Sequence, residues 1–304
     1  MRTATIDIGS NAVRLLIADV EDGKITNYLQ HGRHITRLGD KMGQTGKLSE
    51  ESVVRTLKAL QEFGSTIIEY DCKKLKTVAT SAVREAENPE LLIDAAKEMG
   101  FDIEVIDGHT EASLIYKGAV SGIETEHQNT LLFDIGGGST EFIYAKAGEK
   151  PAALSVPLGV VKLADLYDFS GPCIEEHMDK MKIPIYNVIS EVNKHMNCEP
   201  EILIASAGTP TTLAAIDLEM EEYDWKQVNG HVLTREAIGS IFERLSTVSG
   251  EERLKIKGME EGREDLIIPG TLITMEMMDM FGMERLTVSD FGLREGLAIA
   301  VSEL

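Results

Sequence analysis

Cysteine is nearly missing from this sequence. Its three thiols, Cys72, Cys173 and Cys198, are scattered and odd in number. That excludes a disulfide framework and is the pattern of a reducing compartment, so a cytoplasmic setting is expected. None sits in a C-x-x-C pair, which removes the usual zinc-binding spacing. Aromatic residues make up only 5% of the chain, with a single tryptophan, and the 30 basic residues are outnumbered by 51 acidic ones. No basic stripe with interleaved aromatics exists, so nucleic acid is not an expected partner. Long apolar runs are also lacking. No stretch approaches the ~18 residues of a membrane span. The N-terminal run Met1-Arg2-Thr3-Ala4-Thr5-Ile6-Asp7 places an acid where a signal peptide needs an apolar region, and it reads as the start of a strand.

What is there begins with charge. The net charge is −21, and it is uneven: residues 1–125 carry 15 basic and 20 acidic groups, residues 126–304 carry 15 and 31. Such acidity reads as solubility or salt adaptation, and it repels polyanions at long range. An anionic substrate would therefore need local cations, in the form of a metal ion and a few arginines.

The chain also repeats itself. Residues 3–19 read TATIDIGSNAVRLLIAD and residues 130–146 read TLLFDIGGGSTEFIYAK. They align without a gap at an offset of 127 residues, with Thr3, Asp7, Ile8, Gly9 and Ala18 matching Thr130, Asp134, Ile135, Gly136 and Ala145. Each copy is an apolar strand, Asp-Ile-Gly, a small-residue turn and a second apolar strand. Two copies imply two similar domains, 1–125 and 126–304, joined by the polar run Glu124–Asn129. Elsewhere the spacing predicts a helix over 49–70 with Ser49 as N-cap, strands at 76–80 and 101–107, and helices at 88–99 and 109–120. In the second half it predicts strands at 201–206 and 285–289, with helices near 209–217, 234–247, 268–281 and 293–302. This is an α/β protein of two domains with mixed sheets and a cleft between the halves.

The turn Gly136-Gly137-Gly138-Ser139-Thr140 follows a strand, as a dinucleotide fingerprint does. The next residues, Glu141–Ala145, form a strand rather than a helix, so the helix N-terminus that fingerprint requires is missing. A tight hairpin turn remains. Alone it could be ordinary, but its backbone N–H groups can form an anion nest, and Gly9-Ser10-Asn11 repeats it. Acids flank both turns: Asp7, Asp134 and, seven residues on, Glu141. Alternation around the turn can bring Asp134 and Glu141 together. Two carboxylates with waters and phosphate oxygens suit Mg²⁺; the alternative for a strand-end Asp is capping.

Seven segments carry a resemblance. They are Asp7-Ile8-Gly9-Ser10-Asn11, Thr80–Ala86, Ile106–Ala112, Phe133–Glu141, Gly208–Ala215, Gly262–Gly270 and Gly292–Leu297. Each is common alone; in this order they are specific. The chain resembles the exopolyphosphatase/guanosine pentaphosphate phosphohydrolase (Ppx/GppA) family. The resemblance implies RNase H-like domains of the actin–hexokinase–Hsp70 superfamily. It implies that Glu111 is the catalytic glutamate that orients or deprotonates water, although an acid in a helix's first turn is also favoured by the dipole alone. It implies Asp134 and Glu141 as metal-associated acids for Mg²⁺ or Mn²⁺. Phosphate binding is carried onto Gly9, Ser10, Asn11, Arg84, Gly136, Gly137, Gly138, Ser139, Thr140, Gly208, Thr209 and Arg263. Arg14, Arg37 and Lys162 are weaker candidates. Long members carry a further C-terminal helical domain, whereas this sequence ends at Leu304 and is similar to the short, two-domain form. A homodimer is an expectation from the family alone.

Other patterns fail. Gly46-Lys47-Leu48-Ser49 lacks the spacing of a Walker loop, no G-x-S-x-G occurs, and the histidines do not cluster. Met275, Met277, Met278 and Met280 read as packing residues. Exopolyphosphatase is the leading reading. Guanosine pentaphosphate 5′-phosphohydrolase would use the same site, a kinase or ATPase would need an adenosine pocket in the second domain, and a non-catalytic polyphosphate sensor would not need Glu111.

Overall fold

The computed structural model describes residues 1–123, 129–146 and 148–303. It divides into two compact units, Met1–Ser121 with Gly292–Leu304, and Gly122–Phe291. Unit 1 runs β1 (Arg2–Ile8), β2 (Ala12–Glu21), β3 (Lys24–Ile35), α1 (Met42–Thr45), α2 (Glu50–Glu69), β4 (Lys74–Ala79), α3 (Ser81–Glu85), α4 (Glu90–Glu98), β5 (Ile103–Val105) and α5 (Gly108–Val120). Unit 2 runs β6 (Thr130–Ile135), β7 (Thr140–Ala145), β8 (Ala152–Val156), α6 (Val160–Ala164), α7 (Glu175–Met196), β9 (Ile202–Ser206) and α8 (Gly208–Asp217). It continues with α9 (Trp225–Val228), β10 (Val232–Thr234), α10 (Arg235–Ser246), α11 (Gly250–Arg253), α12 (Ile267–Met280) and β11 (Arg285–Val288), after which α13 (Leu293–Ser302) belongs to unit 1.

The sheets have corresponding orders, β3-β2-β1-β4-β5 in unit 1 and β8-β7-β6-β9-β11-β10 in unit 2. In each, the opening hairpin is antiparallel and the next neighbours, β4 and β9, are parallel to the first strand. Both sheets are therefore mixed, and the repeat at offset 127 is the pair of hairpins β1–β2 and β6–β7. Period-2 alternation explains the layers. Ala4, Ile6 and Ile8 of β1 join Val13, Leu15 and Ile17 of β2 in one core with Val53, Leu60 and Phe63 of α2. The opposite face presents Leu16, Ala18 and Val20, packed with Ala298 of α13. Helix α2 starts where Ser49 accepts a hydrogen bond from Ser52 N at 3.2 Å. In unit 2, Leu131, Phe133 and Ile135 of β6 and Phe142 and Tyr144 of β7 form the corresponding core face. Met277 and Met278 are buried in that core, with Met275 and Met280 packed at its margin.

Three expectations change. The division at 125/126 put the last helix in the second domain, whereas α13 lies in unit 1. The reason is a close crossing of α13 on α5: a Cβ on Gly118 would meet Gly292 O at 1.9 Å, and one on Gly296 would meet Leu114 O at 1.8 Å. Thr5 Oγ1 also donates to Arg294 O at 3.1 Å. Of the linker Glu124–Asn129, residues 124–128 lie outside the described residues. The strand expected over 101–107 is confined to Ile103–Val105, because Asp107 instead caps α5 by accepting from Thr110 N at 2.7 Å. That bond holds the Asp107 carboxyl below the usual carboxylate range. Among the described residues, six helices lie outside the sequence expectation: α1, α3, α6, α9 and α11 are single turns of four or five residues, and α7 contains Pro184, although its Met181, Ile185, Ile189 and Val192 are buried at helical spacing.

The α5–α13 contact leaves no room for a side chain. Gly118→Ala should lower stability by about 1–3 kcal/mol or more, the usual range for overpacking, measured by denaturant unfolding of the full chain. An unchanged midpoint would show that the two helices do not approach this closely.

Candidate active site

Both glycine turns are built the same way. The turns close through Gly9 N to Ala12 O at 3.0 Å and Gly136 N to Ser139 O at 2.9 Å. Carbonyl groups of each turn are tied to a second segment, residues 36–39 in unit 1 and the first turn of α6 in unit 2. Ser10 O accepts from Gly39 N, and Asn11 O accepts from Thr36 N and Arg37 N, at 2.8, 3.1 and 2.9 Å. Gly136 O accepts from Val160 N, and Gly137 O from Val161 N and Lys162 N, at 3.1, 2.9 and 3.4 Å. An anion nest needs its carbonyls directed away from the ligand, and these bonds meet that condition. A Cβ on Gly159 would lie 2.3 Å from Gly137 O, so the supporting loop can approach only as glycine. Arg37 and Lys162, weak candidates by sequence, thus contribute backbone support to the turns. Thr140, expected at the anion, is fully buried, and its hydroxyl donates to Leu158 O. It props the turn from within.

In unit 1, the turn connects to the other site residues. Ser10 Oγ and Ser81 Oγ share a hydrogen bond of 3.0 Å, which joins the turn to α3. Arg84, on α3, donates from Nη1 to Glu111 Oε2 at 2.9 Å and to Ile106 O at 2.9 Å. Glu111 is buried, with 8% of its side chain exposed, in the first turn of α5. The structure therefore brings the expected water-activating acid and an expected phosphate arginine into direct contact. The guanidinium fixes the direction of the carboxylate.

In unit 2, Asp134 and Glu141 face one another in the β6–β7 register. The register extends to both neighbours, since Glu141 pairs Ser155 of β8 and Asp134 pairs Ser206 of β9. A transverse row, Ser155–Glu141–Asp134–Ser206, crosses four adjacent strands. Ser155 Oγ donates to Glu141 Oε1 at 2.7 Å, and Ser206 Oγ donates to Asp134 Oδ2. The matching row of unit 1 is Arg33–Arg14–Asp7–Val78. It holds one acid beside two arginines, so the paired acids belong to unit 2. Among the described residues no group of three or more His, Cys, Asp or Glu could hold a metal. Two carboxylates still fit Mg²⁺, which takes one or two protein carboxylates and fills its octahedron with water and phosphate oxygens.

Beyond Ser206 the backbone is strained. Ala207 has φ 73° and ψ −169°, a region open essentially to glycine. It leads into α8, where Gly208 lies flat under Arg263: a Cβ there would fall 1.8 Å from both Nη atoms. Arg263 is buried and its Nε donates to Glu260. Thr209, next along, is covered by Gly270, whose Cβ would meet Thr209 Oγ1 at 2.1 Å. Gly208, Thr209 and Arg263, which stand 55 residues apart at the extremes, are brought together.

A model of the Ppx/GppA phosphatase family matches residues 16–303 of this sequence. The chain belongs to the Ppx/GppA phosphatase family. The match reaches past β2 to α13 and so takes in both units. Exopolyphosphatase 2 of Mycobacterium tuberculosis is 28% identical over 99% of this chain and 98% of its own length. A bifunctional 3-dehydroquinate synthase/phosphatase of Fusobacterium nucleatum is 33% identical over 94% of this chain, which spans only 44% of that protein. The Aquifex aeolicus Ppx/GppA member has 32% identity and a TM-score of 0.83, covering 100% of this chain and 98% of that one. An exopolyphosphatase from Cytophaga hutchinsonii has 29% identity and a TM-score of 0.92, with coverage of 100% and 98%. These neighbours have the two-domain actin-like ATPase fold. Among the described residues, no helix of the chain is long and apolar enough to cross a membrane.

The structure gives roles to several residues that sequence reasoning left without one. Ser155 and Ser206 gain meaning only once the strand register is known. Arg253 is fully buried, and donates to Leu245 O, Phe169 O, Glu264 O and Gly171 O. It ties the 169–171 loop to the segment after Arg263. Glu295 is also fully buried and accepts from Gly292 N at 2.8 Å, so part of the Gly292–Leu297 motif is a helix start. In sequence these look like any surface charge.

The Gly208–Arg263 contact predicts coupling. Gly208→Ala and Arg263→Ala should each reduce kcat/KM for phosphate release. The double variant should be little worse than either, since both act through one guanidinium. Additive losses in the kinetic cycle would show independent roles.

Proposed function

We propose that this chain is an exopolyphosphatase, releasing terminal orthophosphate from inorganic polyphosphate. The observation that carries the reading is the connected set Ser10–Ser81–α3–Arg84–Glu111. It ties the Gly9–Asn11 turn to a buried carboxylate of the kind a water-activating role requires. The relatives named exopolyphosphatase, matched over nearly their full length, supply the substrate class.

Phosphoryl transfer asks a protein for positioning and charge neutralisation rather than for covalent chemistry. With the Gly9 and Gly136 N–H groups closing their turns, the N–H groups of Ser10 and Asn11 in unit 1, and those of Gly137 and Gly138 together with Arg263 in unit 2, are the donors for phosphate oxygens. The Glu111 carboxylate takes one proton of the attacking water or holds the water in line, and Arg84, donating to Oε2, keeps that carboxylate aimed. Asp134 and Glu141 would hold Mg²⁺ or Mn²⁺, which supplies positive charge against the phosphoryl oxygens. The acidic surface outside the site repels polyanions, so these local donors carry the whole attraction.

Phosphate release from polyphosphates of defined length, with Mg²⁺ and then with a chelator, tests the reading. Orthophosphate should appear in the first condition and stop in the second. Faster release from guanosine pentaphosphate would move the assignment to the 5′-phosphohydrolase, whose terminal phosphoanhydride presents the same atoms. No release from either would remove it.

Two variants probe the pair. Glu111→Gln should lower kcat by roughly 10²–10⁴ with KM little changed, as for loss of a general base; wild-type kcat would assign Glu111 to the fold. Arg84→Ala should lose more activity than Arg84→Lys, because lysine keeps a positive charge beside buried Glu111 while losing the planar guanidinium that also bonds Ile106 O. Equal losses would mean that the guanidinium's geometry, not its charge, is what matters.

A further inference from the structure

The two acids of unit 2 do not stand alone. Their row is closed at each end by a hydroxyl, from β8 on one side and from β9 on the other. Ser155 takes Glu141 Oε1 and Ser206 takes Asp134 Oδ2, so each serine grips one oxygen of the acid beside it. Each acid is thereby held in one orientation within the row. Both acids sit in strands, Glu141 and Ser206 are each 1% exposed, and Ser155 is half-buried on β8, so the row lies largely out of solvent. The equivalent row of unit 1 has no serine at either end and no second acid.

We infer that Ser155 and Ser206 are positioning residues for a divalent cation held by Asp134 and Glu141. The inference rests on the metal reading proposed above. The physical reason is that a ligating carboxylate must present a set lone-pair direction, and an outer hydrogen bond sets it. Loss of such partners typically weakens metal binding about 10–100-fold. Mg²⁺ is the demanding case, because it tolerates little departure from octahedral geometry. Two like charges on opposed strands would otherwise turn apart. The serines hold them facing.

The test is Mn²⁺ binding to the metal-free full chain without substrate, followed by electron paramagnetic resonance of the free ion. Ser155→Ala and Ser206→Ala should each weaken Mn²⁺ binding by roughly 10-fold or more, while thermal melting in chelator stays close to wild type. Ser155→Thr keeps the hydroxyl in a strand-compatible side chain and should bind like wild type. If the alanine variants bind Mn²⁺ normally while Asp134→Asn does not, the serines have no positioning role. The same conclusion follows if their loss tracks a fall in melting temperature that Ser155→Thr does not repair. If Asp134→Asn and Glu141→Gln both bind Mn²⁺ as tightly as wild type, the metal reading itself fails.

Discussion

The carbonyl groups of the two hairpin turns are bonded from behind, and the rest of the site follows from that constraint. A backbone turn presents donors and acceptors together. Unless its acceptors are removed, it repels an anion as much as it attracts one. Here the segments 36–39 and 160–162 take the carbonyls of Ser10, Asn11, Gly136 and Gly137. Buried backbone acceptors need partners in any case, so the same bonds that satisfy the fold also prepare the turns. Gly159 is part of this arrangement, since any side chain would hold the supporting loop away.

From those turns the site spreads through contacts between distant segments. In unit 1 a serine–serine bond passes from the turn to α3, and Arg84 passes from α3 to Glu111. In unit 2 the strand register places two acids and two serines in one row, and Ala207 turns the chain from that row into α8 under Arg263. Strain of roughly 1–3 kcal/mol at such a residue persists only where the surroundings over-determine it. Ser206, bonded to Asp134, and Gly208, pressed on Arg263, supply that constraint from both sides.

The duplication has diverged in charge. Asp7 and Asp134 occupy the same place, but their cross-strand partners are Arg14 and Glu141. Unit 1 therefore carries fixed positive charge beside its acid, whereas unit 2 carries a pair of negative charges that favours a cation. One supersecondary unit has produced two different electrostatic environments through a single opposing residue.

The sequence by itself determined the doubling, the hairpins, the glycine turns and the nearness of Asp134 to Glu141. All of these depend on period-2 alternation and turn chemistry within about twenty residues, and such local rules leave a readable pattern. Family motifs also pointed to Glu111, Arg84 and Arg263. Other features came only from the tertiary structure. The last helix was assigned to the wrong half because nothing local says that Gly292 and Gly296 will meet Gly118 and Leu114. Helix α7 was hidden by Pro184. Ser155 and Ser206 are unremarkable until four strands fall into register, and the pressing of Gly208 on a guanidinium 55 residues away is not legible in either motif. Contacts of this kind are set by sheet order and by how closely two backbones can approach, and both arise only when the whole chain has packed.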